Sequence, residues 1–306
     1  MHPEIRSKTK GKCPKCGMVL VAVTPEVVDE FMLKMEANPP APKPSEKVKF
    51  HFAIFNPKTG EQVKDFAPLH EKLFHLFIIS QDLNQFQHIH PAFNSDGSFS
   101  IETVLPQAGR YKIYCDFYPL DGSPQVLQQN IATSGFTQDL FAAKPKIVLD
   151  QVLTKAVEGE KIKNENAANL GVNFASLKAK PLNALKVELN IEPKEIIAGR
   201  PATLKYHLTD AKTGEPIKDL SPYLGAFGHT LILSEDQTDY VHSHPSEMPP
   251  DIFDMDILDE SKLFGGPEVT FEAMFPRPGN YKIWTQFLRG DTLTTVTFTV
   301  RAERLR

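Results

Sequence analysis

Cysteine is scarce in this chain, at three in 306 residues, which is too few for a disulfide framework. Long apolar runs are missing as well. None approaches the roughly 20 residues that span a bilayer, and the amino terminus lacks the basic, apolar and small-residue order of a secretory leader. Neither sign of charge dominates: 34 Lys and Arg stand against 38 Asp and Glu, for a net charge of −4. The basic residues are scattered, so there is no field for a phosphate backbone, and nucleic acid is not expected as a partner. Nucleophile elbow, phosphate-cradling glycine loop and zincin H-E-x-x-H are all absent, which leaves no motif on which to rest an enzyme.

What the chain does have is a repeated histidine pattern. His75, His88 and His90 are followed by Pro91, and 154 residues later His229, His242 and His244 are followed by Pro245. Aligning residues 50–91 on 204–245 without a gap leaves 14 of 42 identical, the three histidines among them. Lys58-Thr59-Gly60-Glu61 and Lys64-Asp65 are also shared, as are Pro68, Ile78, Ser80 and Asp82. Beyond the histidines the offset grows by 16, because Gly109-Arg110-Tyr111-Lys112-Ile113 answers to Gly279-Asn280-Tyr281-Lys282-Ile283. The second copy therefore carries an insertion, rich in acidic residues and methionine: Glu247, Met248, Asp251, Asp254, Met255, Asp256, Asp259 and Glu260. A solvated loop is its plain reading, and a metal-capturing lid the alternative. So long a period marks a duplicated domain rather than a solenoid, whose units run about 20–50 residues.

Each copy reads as short strands punctuated by turns. In the first, strand-like runs cover 31–36, 48–55, 73–80, 86–90, 98–104, 110–117 and 125–131; Pro57 to Gly60, Asn94 to Gly97 and Pro106 to Gly109 separate some of them. The second offers 185–190, 203–208, 229–234, 240–244, 268–275, 280–287 and 292–300. About seven short strands per roughly 100 residues, with no sustained helical period, predict an all-β protein of two tandem immunoglobulin-like β-sandwich domains. The expected layout is a small knuckle at 1–22, sandwiches at 26–136 and 183–304, and a linker at 137–182 with room for a strand or a short helix.

Strands 73–80 and 86–90 are joined by a loop of hairpin length. If residue i pairs with residue 165 − i, His75 faces His90 and Phe77 faces His88. All three imidazoles then leave one side of one hairpin, close enough to share an ion. Neutral imidazoles suit Cu(II), Zn(II) or Ni(II), with water, a carboxylate or a thioether as a fourth ligand. The plain alternative is that these histidines are structural, since a duplicated domain inherits structural residues as readily as ligands. His51, His70 and His207 lack partners of their own kind in the other copy and read as structural or surface residues. Cys115, answered by Thr285, reads as a buried inert thiol.

Cys13 and Cys16 form a C-x-x-C whose Pro14 and Gly17 present two thiolates to one soft cation, with His2 as a further donor and Met1 or Met18 as thioethers. Met1-His2-Pro3-Glu4-Ile5-Arg6 followed by Gly11-Lys12-Cys13-Pro14-Lys15-Cys16-Gly17-Met18 closely resembles the small heavy-metal-binding domain of copper and zinc efflux adaptors and some metal-transporting P-type ATPases. In that family a Cys-Pro precedes the Met-His-Pro. The sequence starts at that Met, which implies a further ligand and an export signal upstream. Phe86-Gln87-His88-Ile89-His90-Pro91 with Gly109-Arg110-Tyr111-Lys112-Ile113 resembles secreted or periplasmic bacterial β-sandwich proteins carrying this same amino-terminal domain. The resemblance implies a non-enzymatic copper- or zinc-binding protein, periplasmic or secreted, with a metal efflux or envelope protein as its partner. A docking module with structural histidines is the competing expectation.

Overall fold

The computed structural model describes residues 12, 13, 15, 18, 30–136, 147–180, 183–245 and 264–305. They are nearly all β and form two β-sandwiches of immunoglobulin-like type, each with its own core. Among the described residues no helix is long and apolar enough to cross a membrane.

The first sandwich contains β1 (Met32–Asn38), β2 (Lys47–Phe55), β3 (Phe66–Ala67), β4 (Phe74–Ser80), β5 (Phe86–Ile89), β6 (Ala92–Phe93), β7 (Phe99–Val104), β8 (Arg110–Pro119) and β9 (Gln125–Ala132). One sheet runs β1-β2-β7-β6; the other runs β3-β8-β4-β5, with β9 also on β8. Val48, Phe50, Phe52 and Ile54 alternate inward on β2 against Leu76 and Ile78 of β4 and Tyr111, Ile113, Cys115 and Phe117 of β8. That period of two is what a sheet with one face on a core demands.

Residues 147–180, expected as linker, do more than connect. They add β10 (Thr154–Val157), β11 (Glu160–Lys161), the single helical turn α1 (Asn164–Ala167) and a 3-10 turn at Phe174–Ser176. β10 extends a sheet of the second sandwich beside the strand at 185–192, and β11 pairs with its last strand. Residues 165–172 instead pack with the first sandwich, where Leu170 lies against the core.

The second sandwich continues with β12 (Leu185–Glu192), β13 (Ile196–Ile197), β14 (Pro201–Asp210), β15 (His229–Ser234), β16 (Tyr240–Ser243), β17 (Glu268–Met274), β18 (Gly279–Arg289) and β19 (Thr292–Glu303). Its sheets run β10-β12-β14-β17 and β11-β19-β18-β15-β16, with β13 beside β19. The order β12-β14-β17 repeats β1-β2-β7, and β18-β15-β16 repeats β8-β4-β5.

Both copies close one strand corner with a tyrosine. Tyr111 Oη donates to Gln107 O at 2.9 Å, and Tyr281 Oη donates to Arg277 O at 2.7 Å. A tyrosine bonded back to the backbone a few residues upstream is a device of immunoglobulin-like sandwiches.

Candidate metal centre

The histidine hairpin is built by its turn. In 80–85, the Ser80 amide donates to Gln85 O at 3.1 Å, and Ser80 Oγ accepts from the Gln85 amide at 2.8 Å. Leu83 turns the corner with φ of 62°. The second copy repeats the device: the Ser234 amide donates to Asp239 O at 3.1 Å, Ser234 Oγ accepts from the Asp239 amide at 2.9 Å, and Gln237 has φ of 58°. With that turn in place the register follows. Phe77 lies opposite His88 and Leu76 opposite Ile89, the pairing read from the sequence. In the second copy Leu231 lies opposite His242 and Thr230 opposite Ser243, the same register.

Leu76, Ile78 and Ile89 take the core face, so His75, His88 and His90 take the other face. They are nevertheless buried, at 0%, 2% and 6% exposure. His88 stacks on Phe77 with centroids 4.2 Å apart. His75 Nδ1 is 3.1 Å from His88 Nε2 and 3.2 Å from His90 Nε2, and the last two nitrogens are 3.1 Å apart.

The outer nitrogens decide which inner ones carry lone pairs. His75 Nε2 is 2.7 Å from Leu69 O, and His90 Nδ1 is 3.2 Å from Asn169 O. A carbonyl oxygen only accepts, so in the neutral rings those two nitrogens bear the protons and donate. His75 Nδ1 and His90 Nε2 are then two acceptors 3.2 Å apart, which cannot bond each other. A proton on His88 Nε2 points along only one edge of the triangle at a time. A cation shared by all three nitrogens resolves the arrangement. Burial pushes the His75 pKa down, against the charge of Asp116 and the Leu69 carbonyl, which disfavours a proton as that cation. Ligands around a tetrahedral ion with metal–nitrogen bonds of about 2.0–2.1 Å stand about 3.3–3.4 Å apart. The triangle comes close to that spacing, and a bond from the far ring nitrogen to a carbonyl is the kind of contact that orients an imidazole where it binds a metal.

The second triad repeats the plan. One ligand nitrogen from each of His229, His242 and His244 lies within 4.8 Å of the others. His229 Nε2 donates to Tyr223 O at 2.6 Å, the equivalent of the His75 bond to Leu69. His229 is buried, while His242 and His244 are half-buried. The insertion and its acidic residues lie outside the described residues.

At the amino terminus Cys13 is buried, and its amide donates to Met18 O at 2.6 Å. His2 and Cys16 lie outside the described residues. Of the remaining histidines, His207 pairs with Glu268 on the neighbouring strand, and His51 is half-buried on β2. His70 is closer to the site than its sequence suggested. Its ring centroid is 6.4 Å from that of His75, and burial pushes its pKa down to about 3. Cys115 is fully buried, and burial raises its thiol pKa well above the usual value.

Sequence reasoning missed Leu69, Asn169 and Asp116. The first two act through backbone carbonyls, which side-chain identity does not reveal. Asp116 is directly opposite His75 on β8, but Gln286 replaces it in the other copy, so the repeat carried no signal for it.

A family model described as a domain of unknown function, DUF8832, matches residues 26–135 and 180–304. A second, described as a heavy metal binding domain, matches residues 1–23. Comparison with curated proteins returned no match. Among solved structures the chain is similar to the Escherichia coli adhesin FdeC, at 10% identity and a TM-score of 0.25 over 94% of this chain and 68% of that one. It is also similar to native Escherichia coli alpha-2-macroglobulin, at 11% identity and a TM-score of 0.27, covering 92% of this chain and 17% of that one. Carbohydrate-binding modules of the beta-sandwich super family align at 10% identity and a TM-score of 0.22, over 92% of this chain and 95% of that one.

Proposed function

Because the chain belongs to the family of the domain of unknown function DUF8832, two copies of which follow a heavy metal binding domain, we propose that it is a non-enzymatic copper- or zinc-binding protein. In this reading it works outside the cytoplasm, in the periplasm or as a secreted protein, for metal resistance or delivery to an efflux or envelope partner. The knuckle at Cys13 and Cys16, with His2, takes one soft cation, and each histidine triad takes another.

The observation that carries the reading is the first triangle of nitrogens. Two lone pairs face each other at 3.2 Å because carbonyl oxygens occupy the far side of both rings. Recurrence of the triad and of its outer carbonyl bond in the second copy supports the same role there.

Native mass spectrometry of the full chain with Zn(II) and Cu(II) separately tests it. Three ions per chain are expected, two in a Cys13→Ser/Cys16→Ser variant, and one fewer in a His88→Ala/His90→Ala variant whose circular dichroism is unchanged. Binding at the knuckle alone would leave the sandwiches as docking modules with structural histidines.

A further inference from the structure

We infer that the two triads are unequal: the first, with Asp116 beside it, is the tighter site for a divalent cation, and the second, with Gln286 in that place, is the weaker and more exchangeable one. This rests on the reading of the triads as metal sites, and it adds an order of filling.

The inequality comes from one position on the strand that flanks each hairpin. Asp116 of β8 is the direct partner of His75, and Gln286 of β18 is the direct partner of His229. Directly opposed residues of an antiparallel pair project to the same face, so each side chain is on the histidine side of its sheet. Asp116 is 8% exposed and Gln286 is 4% exposed, so neither is a solvated surface group. The Asp116 charge acts on His75 more strongly than that of Lys72. Gln286 donates from Nε2 to Thr295 Oγ1 at 3.2 Å and brings no charge.

Three neutral imidazoles leave a divalent ion with its full charge. Holding that charge in a dry site is costly unless an opposite charge is close. Asp116 halves the net charge of the first site, whether it ligates the ion or faces it across an imidazole. The first triad is also the more closed: His90 donates its backbone amide to Asn169 O at 2.7 Å while its ring bonds the same oxygen, and all three rings are buried. His242 and His244 are half-buried. A buried site with a carboxylate opposite its histidine releases its ion slowly, and a half-buried one with a neutral amide in that place exchanges it.

The test is a Zn(II) competition titration against a chromogenic chelator, on the full chain carrying Cys13→Ser and Cys16→Ser so that the knuckle thiolates do not contribute. Two ions are expected, the tighter abolished by His75→Ala and the weaker by His229→Ala. Asp116→Asn, nearly isosteric, is expected to weaken the tighter ion about 10- to 100-fold. Gln286→Glu is expected to strengthen the weaker ion, and it carries the test if Asp116→Asn fails to fold. Two bound ions whose affinities neither substitution moves, or a tighter ion abolished by His229→Ala, would overturn the inequality while leaving the triads as metal sites. No ion bound in the parent would overturn both.

Discussion

Phe52, Leu76 and Cys115 in the first sandwich stand where Tyr206, Thr230 and Thr285 stand in the second. The first set is purely apolar in character, and the second is a fully buried hydrogen-bonded chain. Thr285 Oγ1 donates to Tyr206 Oη at 2.7 Å and lies 2.8 Å from Thr230 Oγ1. Burial pushes the Tyr206 pKa up, and the threonine bonds only partly offset this. Removing one member leaves a buried hydroxyl short of its bond, which costs about 1–3 kcal/mol. Thr285→Ala is therefore expected to lower stability by that amount in urea unfolding, and Tyr206→Phe in the same chain to recover part of the loss. A strictly additive pair would refute the network. In the first copy the corresponding prediction concerns Cys115. Its raised thiol pKa and complete burial keep it from forming thiolate, so alkylation by iodoacetamide should proceed only after unfolding. Rapid modification of Cys115 in the native chain would show that the strand opens locally. The histidines were legible one by one because both copies carry them; their depth was not, since the face opposite the core of a sheet is by default solvated.

At the scale of the element, the hairpin turn decides whether three histidines become one site. A slip of one residue would send His88 and His90 to the core face. The turn resists slipping through its serine and aspartate: Ser234 Oγ donates to Asp236 Oδ1 at 2.5 Å, and Asp236 Oδ1 accepts from the Thr238 amide at 3.1 Å. Burial pushes the Asp236 pKa up, but the bonds from Ser234 and Thr238 and the charge of Arg277 outweigh it and hold the carboxyl at about 2. A folded-state pKa below the unfolded value of about 3.9 stabilises the fold above pH 4 and loses that contribution as pH falls toward 2. Asp236→Ala should thus be less stable than the parent at neutral pH by a margin that shrinks between about pH 4 and 2. A margin independent of pH would remove the ionised carboxylate from the account. Lys58-Thr59-Gly60-Glu61 and its repeat carried the same kind of information. Asn56 Oδ1 accepts from the Lys58 amide at 2.9 Å, Asp210 Oδ1 from the Lys212 amide at 2.9 Å, and Gly60 and Gly214 have φ of 71° and 76°. Their retention reflects turn chemistry, so identity between copies alone could not separate ligands from scaffold.

Across the whole molecule, the stretch between the two sandwiches is divided between them. Residues 147–164 add strand edges to the second, and 165–172 pack on the first. Leu170 meets the first core, and Asn169 Nδ2 donates to Glu102 O at 2.8 Å. A fragment of residues 26–172 is expected to unfold at higher urea than one of residues 26–136, with Leu170→Ala in the longer fragment giving back about 1–2 kcal/mol of the difference. Equal midpoints would mean that the segment contributes nothing to the domain it covers.

Local chemistry was sufficient for a good deal of this. Strand period, turn residues and the 154-residue repeat determined the all-β duplicated plan. A hairpin-length loop with an H-x-H pair determined that three imidazoles share a face. The carbonyls of Leu69 and Asn169, the carboxylate opposite His75 and the seating of residues 165–172 came only from the tertiary structure. Apart from Leu69, six residues before His75, each depends on which distant segment is brought against the hairpin, as with His90 and Asn169, 79 positions apart. Such pairings are chosen by the packing of whole sheets, and backbone carbonyls leave no trace in residue identity.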